Sequence, residues 1–357
     1  MKTVDGSMGE GGGQILRTAL AISSLYGIPL RVVNIRVKRA KPGLRPQHLT
    51  AVRALAEITG ARVKGATVGS TEIVFEPGKI RGGDYRFDIG TAGSISLLIQ
   101  ALLPVLVFAD ENVSLKVTGG TDVPLAPPID YVRFVMRENL KLMGISFNLV
   151  VHRRGHYPRG GGIISLSISP TRKIRPTHAV FRGDIVEIRG ISHAVRLPFH
   201  VASRQALSAR KVLEENLPGI PVSIDLEHYH KEVDPHLGPG SGIVLWARCG
   251  KTVLGADSLG RRGKPAEKVG EEAAAILIED LRSGMAFDRY MSDMMPLYAA
   301  LADGVSEIGG AKLTSHAETV FRLLNLLVGD RGFSYELRRE KDGYIARIEG
   351  VPPRTSS

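Results

Sequence analysis

The chain has 357 residues and is 43% apolar, enough for two domains or for one large domain of repeated units, and this excludes a disordered chain. Its single cysteine, Cys249, excludes an intrachain disulfide and fits a reducing compartment. Lys and Arg outnumber Asp and Glu by 47 to 36, a formal charge of +11 that favours a polyanionic partner where the cations cluster.

The N-terminal stretch MKTVDGSMGEGGG lacks the apolar core of a secretory signal, so a cytosolic protein is expected. After Asp5-Gly6, the segment GEGGGQILRTALAISSL reads as a strand end, a glycine-rich turn and an apolar helix. Small residues at a helix start admit an anion to free backbone N–H groups, and Glu10 inside the run with Arg17 in the helix suits magnesium-bound phosphates. Alone, the run reads also as a tight turn that packs the helix on a sheet. It misses the dinucleotide fingerprint by Gln14, and no Walker pattern is present.

Five cations then fall between Arg36 and Arg45: Arg36, Lys38, Arg39, Lys41 and Arg45. They occupy a strand end and the following loop, and Gln47 and His48 open the next helix. A solvated basic loop fits this stretch as well as an anion site does.

Asp88 followed by IGTAGSISLLIQALLPVL repeats the first pattern 83 positions later. LAPPIDYVRFVMRENLKLMGISF from Leu125 repeats LRPQHLTAVRALAEITGARV from Leu44. Each copy reads as strand, turn, helix, strand, helix and two strands. The apolar stretch from Ser94 to Phe108 is interrupted by Gln100 and Pro104 and is too short to cross a bilayer, so no membrane partner is expected.

A third copy begins at Pro176 and resumes near LTSHAETVFRLLNLLVG, followed by the strands FSYELRRE and YIARIEG. Between them the pattern changes to a smaller α/β domain. The predicted division is a large repeat domain, 1–184 and 271–357, with units about 1–82, 83–170, and 171–184 plus 271–357, and an inserted domain at 185–270. The fold class is therefore α/β (α+β): three βαβαββ-like units with a small α/β domain in the third.

His316 opens the last long helix. As a polar cap residue it needs no further role; as a nucleophile it must be reachable and neutral, a form the helix N-terminus would favour. The turns Gly119–Asp122 and Tyr157–Gly162 read as strand-end punctuation. His228, His230 and His236 could bind zinc, but their spacing matches no familiar pattern and they read as a surface strand and loop without a role.

In order and spacing, GEGGGQILRTAL, RAKPGLRPQHLTAV, YRFDIGTAGS, GGTDVPLAPP, YPRGGG and HLGPGSG strongly resemble the RNA 3'-terminal phosphate cyclases over essentially the whole chain. The resemblance implies three repeated α/β units related to enolpyruvyl transferases, with a small inserted domain. It implies ATP-dependent conversion of an RNA 3'-terminal phosphate to a 2',3'-cyclic phosphodiester, releasing AMP and diphosphate. His316-Ala-Glu-Thr319 matches the family's H-x-x-T, so His316 is the implied nucleophile, carrying AMP. Around it only that core and the helix pattern agree with bacterial and animal relatives.

The same resemblance implies ATP and AMP contacts at Gln100, Pro127, Tyr290, Met291, Ser292, Asp293 and Met294, with Asp293 at the adenosine end. It implies RNA phosphate contacts at Arg17, Arg36, Arg39, Gln47 and His48, and a divalent metal, magnesium or manganese, at Glu10. The alternative is a non-catalytic RNA-binding relative acting in ribosome assembly. The aromatic content of 6%, without clustering, predicts weak RNA sequence preference. A homodimer is compatible with all of this.

Overall fold

A computed structural model describes residues 1–353. The first repeat runs β1 (Lys2–Asp5), α1 (Gly13–Tyr26), β2 (Leu30–Val33), α2 (Pro46–Thr59), β3 (Arg62–Lys64) and β4 (Ile73–Glu76). The second runs β5 (Gly83–Asp88), α3 (Ile95–Leu106), β6 (Val113–Gly119), a helix split into α4 (Ile129–Tyr131) and α5 (Arg137–Lys141) by a π turn at Val132–Met136, β7 (Ser146–Arg153) and β8 (Gly162–Ser169).

The third starts with the short β9 (His178–Ala179) and is then interrupted. The interruption holds β10 (Ile185–Val195), α6 (Phe199–Asn216), β11 (Val222–His228), β12 (Gly240–Cys249), β13 (Val253–Leu259) and α7 (Ala266–Arg282). The repeat resumes with α8 (Arg289–Ala300), β14 (Val305–Gly310), α9 (Ser315–Val328), β15 (Ser334–Glu340) and β16 (Gly343–Glu349).

Each repeat builds a sheet of the same order: β1-β2-β4-β3, β5-β6-β8-β7 and β9-β14-β16-β15. In each, the first two strands pair parallel and the others antiparallel. The parallel pair needs a helical crossover, which α1, α3 and α8 supply. Those helices are apolar almost all round because they stand inside the molecule: α1 touches α2, α3 and α9, and α3 touches α8. One continuous core spans the three repeats, from Val4 to Ile348.

The inserted sheet has the order β11-β10-β12-β13. Its central strand β12 alternates by the pleat. Ile243, Leu245 and Ala247 pack under α6 and α7 in a separate core, while Val244 and Trp246 face the second repeat. Trp246 stacks on Phe134 of the π turn, rings 4.4 Å apart and 3° from parallel. Asn139 closes the junction, accepting from Val253 N at 3.0 Å and donating to Val253 O at 2.7 Å.

α7 packs with α6 over this sheet through Val269, Ala273, Leu277 and Leu281. The sequence reading ended the insert at 270, inside that helix; the packing carries it to about Arg282, because a helix goes with the sheet that buries its apolar stripe.

No helix among the described residues is long and apolar enough to cross a membrane.

Candidate active site

The insert occupies the turn between the first strand and first helix of its repeat, where the other two repeats carry short glycine-rich turns. Around that end of the helices lies a cleft of about 720 Å³, within the roughly 300–1,000 Å³ usual for small-molecule sites. The starts of α1, α2 and α9, one side of α3 and α8, the loop 123–127 and the end of β13 line it. A larger hollow of about 1560 Å³ at the far ends of α1 and α3 is lined by Lys79, Arg172, Arg331 and turn residues, with no histidine or cysteine among them.

His316 sits in the first turn of α9, 45% exposed by side chain. Thr314 caps the helix, accepting from the backbone N–H of His316 and Ala317 at 3.1 Å each, and donates its own proton to Asp293. An Asp293 carboxylate oxygen stands 3.4 Å from Nδ1 of His316, and a Glu10 oxygen 3.5 Å from Nε2. Ser315 Oγ donates to the other Glu10 oxygen at 2.6 Å.

Two carboxylates thus bracket the ring. Asp293 first, and then Glu10, raise its pKa above the ordinary value against the opposing effect of burial. The helix N-terminus, expected to favour the neutral ring, is opposed here by two carboxylates at close range.

Arg17 is buried, and no carboxylate pairs with it among the described residues. Burial lowers its pKa to about 10. A buried guanidinium with no carboxylate partner, facing a cleft, is suited to pair with an anion. His48 lies beside it: a methyl group on Gly13 would come 2.2 Å from His48 Nε2 and 3.0 Å from Arg17 Nη1, so only glycine lets both reach the start of α1. Burial, then Arg17, push the His48 pKa down to about 3. Its Nδ1 accepts from Arg45 N at 3.2 Å, which leaves Nε2 as a neutral donor toward the cleft.

Gln47 accepts from Ser94 N at 2.9 Å and so ties the first two repeats together at the cleft floor. Arg39 stands 3.6 Å from Glu10, half exposed. Arg36 lines the cleft, but its guanidinium is committed to the carbonyls of Lys41 (2.9 Å) and Gly43 (3.0 Å), where it holds the basic loop in shape. Thr319 of the H-x-x-T motif donates to Ser315 O at 2.6 Å and packs against Gly9, a structural role that seats the glycine-rich loop on α9.

Gln100, Pro127, Tyr290, Asp293 and Met294 all line the cleft. Met291 and Ser292 do not: both are fully buried, Ser292 hydrogen-bonded to the Asp288 carbonyl, because alternate faces of α8 point to the cleft and the core. Asp293, expected at the adenosine end, also stands beside Thr314 and His316.

Sequence reasoning missed Asp257 and Leu259, which the insert brings to the cleft, and the fully exposed Leu125 at its mouth. Asp257 accepts from Tyr290 Oη at 2.9 Å. Burial, with the Asp122 and Asp288 carboxylates nearby, pushes its pKa up to about 7. A lone Asp in an insert strand carries no local pattern. Leu125 did have a signal, an apolar residue between Pro124 and Ala126 in a turn, and it adopts φ +65°.

A family model for RNA 3'-terminal phosphate cyclase matches residues 8–331. The chain belongs to that family. Curated relatives carrying that name include one from Hyperthermus butylicus, 54% identical over the full length of both chains. One from Ignicoccus hospitalis is 52% identical over 98% of this chain and 99% of its own, and one from Methanopyrus kandleri is 52% identical over 98% of each. The mixed α/β architecture of four-stranded sheets accords with membership.

Proposed function

We propose that this chain is an ATP-dependent RNA 3'-terminal phosphate cyclase that works through a covalent His316–AMP intermediate. The observation that carries the reading is His316 bracketed by Asp293 and Glu10 in a cleft that also holds the unpaired guanidinium of Arg17.

Asp293 accepts the Nδ1 proton, which selects the tautomer with its lone pair on Nε2. Glu10 faces Nε2 and pairs with it while the ring is charged; the Nε2 proton passes to solvent before attack. Nε2 attacks the α-phosphorus of ATP; the N–P bond forms as the P–O bond to diphosphate breaks, and diphosphate leaves. Arg17, His48 and the start of α1 neutralise the oxygens on which charge grows. The RNA 3'-phosphate then attacks the same phosphorus, breaking N–P and forming a P–O–P anhydride with AMP. The neighbouring 2'-OH closes on the RNA phosphorus and expels AMP, leaving the 2',3'-cyclic phosphodiester.

A single half-exposed carboxylate beside phosphates fits a hard divalent ion, magnesium or manganese, and Glu10 would hold it. When bound, such an ion would supply Lewis-acid stabilisation of the leaving group's charge. Gln100, Pro127, Tyr290 and Met294 remain for the nucleoside. Arg39 and Gln47 join Arg17 and His48 at the phosphates. A cytosolic place of work belongs to the same reading.

The test is labelling with ATP carrying radioactive α-phosphate and a divalent metal, without RNA. An acid-labile, alkali-stable protein adduct, absent from His316→Ala and discharged by RNA bearing a 3'-phosphate, is the expected result. A folded protein that binds RNA yet takes no label would make it the non-catalytic relative.

A further inference from the structure

Away from the cleft, the junction between the insert and the second repeat buries a second polar cluster. Its centre is Arg154, 2% exposed by side chain, which follows β7. Its guanidinium binds Glu227 of β11 through two bonds, at 2.8 and 2.6 Å, Asp130 of α4 at 2.5 Å, and Asp122 more loosely at 3.3 Å. Arg133 approaches Asp130 from the solvent side at 3.7 Å. Three carboxylates therefore face two guanidinium groups, one of them half exposed, and the buried cluster is short of positive charge. Buried uncompensated charge is strongly unfavourable, and burial raises the Asp130 pKa; a cation beside the cluster would relieve the same excess.

Two histidines stand where that cation belongs. His156, from the second repeat, and His193, from β10 of the insert, point Nε2 at Nε2 across 3.0 Å. One ligating atom from each, with a carboxylate oxygen of Asp122, lie within 4.8 Å of one another, and all three residues are buried. The Nδ1 atoms of both histidines have no partner among the described residues. Two facing imidazoles without a metal can share only one proton between their Nε2 atoms.

The surroundings hold the three in place. Thr121 Oγ1 donates to Asp122 at 2.6 Å, and Arg154 braces the same oxygen. The chain at Gly240 passes so close over His156 that a methyl group there would fall 2.0 Å from its Cγ. Carboxylates braced by neighbours are what metal sites use to orient their ligands.

We infer that Asp122, His156 and His193 form a buried site for a transition-metal dication, with zinc the best match, which fastens the inserted domain to the second repeat. Two imidazoles and one carboxylate prefer zinc or its neighbours to magnesium or calcium, and a tetrahedral ion keeps its fourth position for water. The dication offsets the excess carboxylate charge, and its ligands come from both sides of the junction. None of the three residues lines the cleft, although Val123, next to Asp122, does. The sequence reading weighed zinc at His228, His230 and His236 and gave them no role; His236 is buried and bonded to Asp234 at 2.7 Å, and the three do not group as a metal site among the described residues.

The experiment is metal analysis of the full chain purified after growth in zinc-supplemented medium, dialysed, and measured without ATP. About one zinc per chain is expected, retained in Glu10→Gln and lost in His193→Gln and in His156→Gln. Because a ligand variant can also misfold, the wild type is loaded with cobalt(II) in parallel. Visible absorption of a tetrahedral nitrogen-oxygen site should appear, and a strong chelator should abolish it while changing the emission of Trp246, the sole tryptophan and a junction residue. Wild-type protein that binds neither zinc nor cobalt overturns the inference. So does full zinc occupancy in a folded His193→Gln.

Discussion

Asp293 and His316 stand 3.4 Å apart, carboxylate oxygen to Nδ1, and this pair sets both the tautomer and the charge of the proposed nucleophile. Because Asp293 raises the His316 pKa, the neutral ring becomes abundant only above its ordinary value near 6.5. The rate of self-adenylation should therefore climb with pH through the raised pKa. Asp293→Asn should move that acid limb to lower pH while reducing the plateau at least tenfold, equivalent to about 1.4 kcal/mol. Label incorporation measured across pH checks both effects. An unmoved limb would remove Asp293 from this role.

Arg17 gives a prediction in which stability and activity part company. Replacing a buried, unpaired guanidinium by an apolar chain of similar length relieves desolvation. Arg17→Met should melt at the same temperature as wild type or higher, yet adenylate roughly 100- to 1,000-fold more slowly. Calorimetry with a labelling time course separates the two.

His48 makes the fold sensitive to acid. Its folded pKa of about 3 lies below the unfolded value near 6.5, so its contribution is complete above pH 6.5 and is lost as pH falls from there toward 3. The expected slope is at most about 1.4 kcal/mol per pH unit from this group. Urea midpoints recorded between pH 7 and pH 4 should fall less steeply in His48→Gln than in wild type.

Gly13→Ala tests the crowding at the start of α1. The new methyl group must displace His48 and crowd Arg17, at about 1–3 kcal/mol of stability. Adenylation should fall along with it, whereas Gly27→Ala, strained at φ +62° at the far end of α1, should lose stability and leave adenylation unchanged.

At the insert junction, Asn139→Ala leaves the Val253 N–H and C=O without their partner, at about 1–3 kcal/mol. The unfolding transition followed by Trp246 emission should come earlier than the one followed by far-ultraviolet circular dichroism, as the insert loosens first.

The repeat was legible from residues alone because each unit restates its own local rules. Glycine before a long apolar helix, proline before the second helix and alternating apolar residues in the closing strands appear at matching offsets. Local propensity and hydrophobic period act over a few residues, so they survive in the one-dimensional record. Part of the candidate cleft was legible for a similar reason: Gln47, His48 and His316 sit at helix starts, where a side chain and its turn are neighbours in the chain.

What the sequence did not determine was decided by groups that meet only across the fold. Met291 and Ser292 were separated from Tyr290 and Met294 by the buried face of α8, which depends on what packs against it. Asp293 found its partner 23 positions away and Asp257 reached the cleft from the insert, while helix α7 joined the small sheet beyond the boundary drawn at 270. Asp122, His156 and His193, separated by up to 71 positions, read as ordinary turn and strand residues until the insert closed on the second repeat. Charge and burial are sums over every neighbour in space, and a linear sequence specifies those neighbours only once the chain has folded.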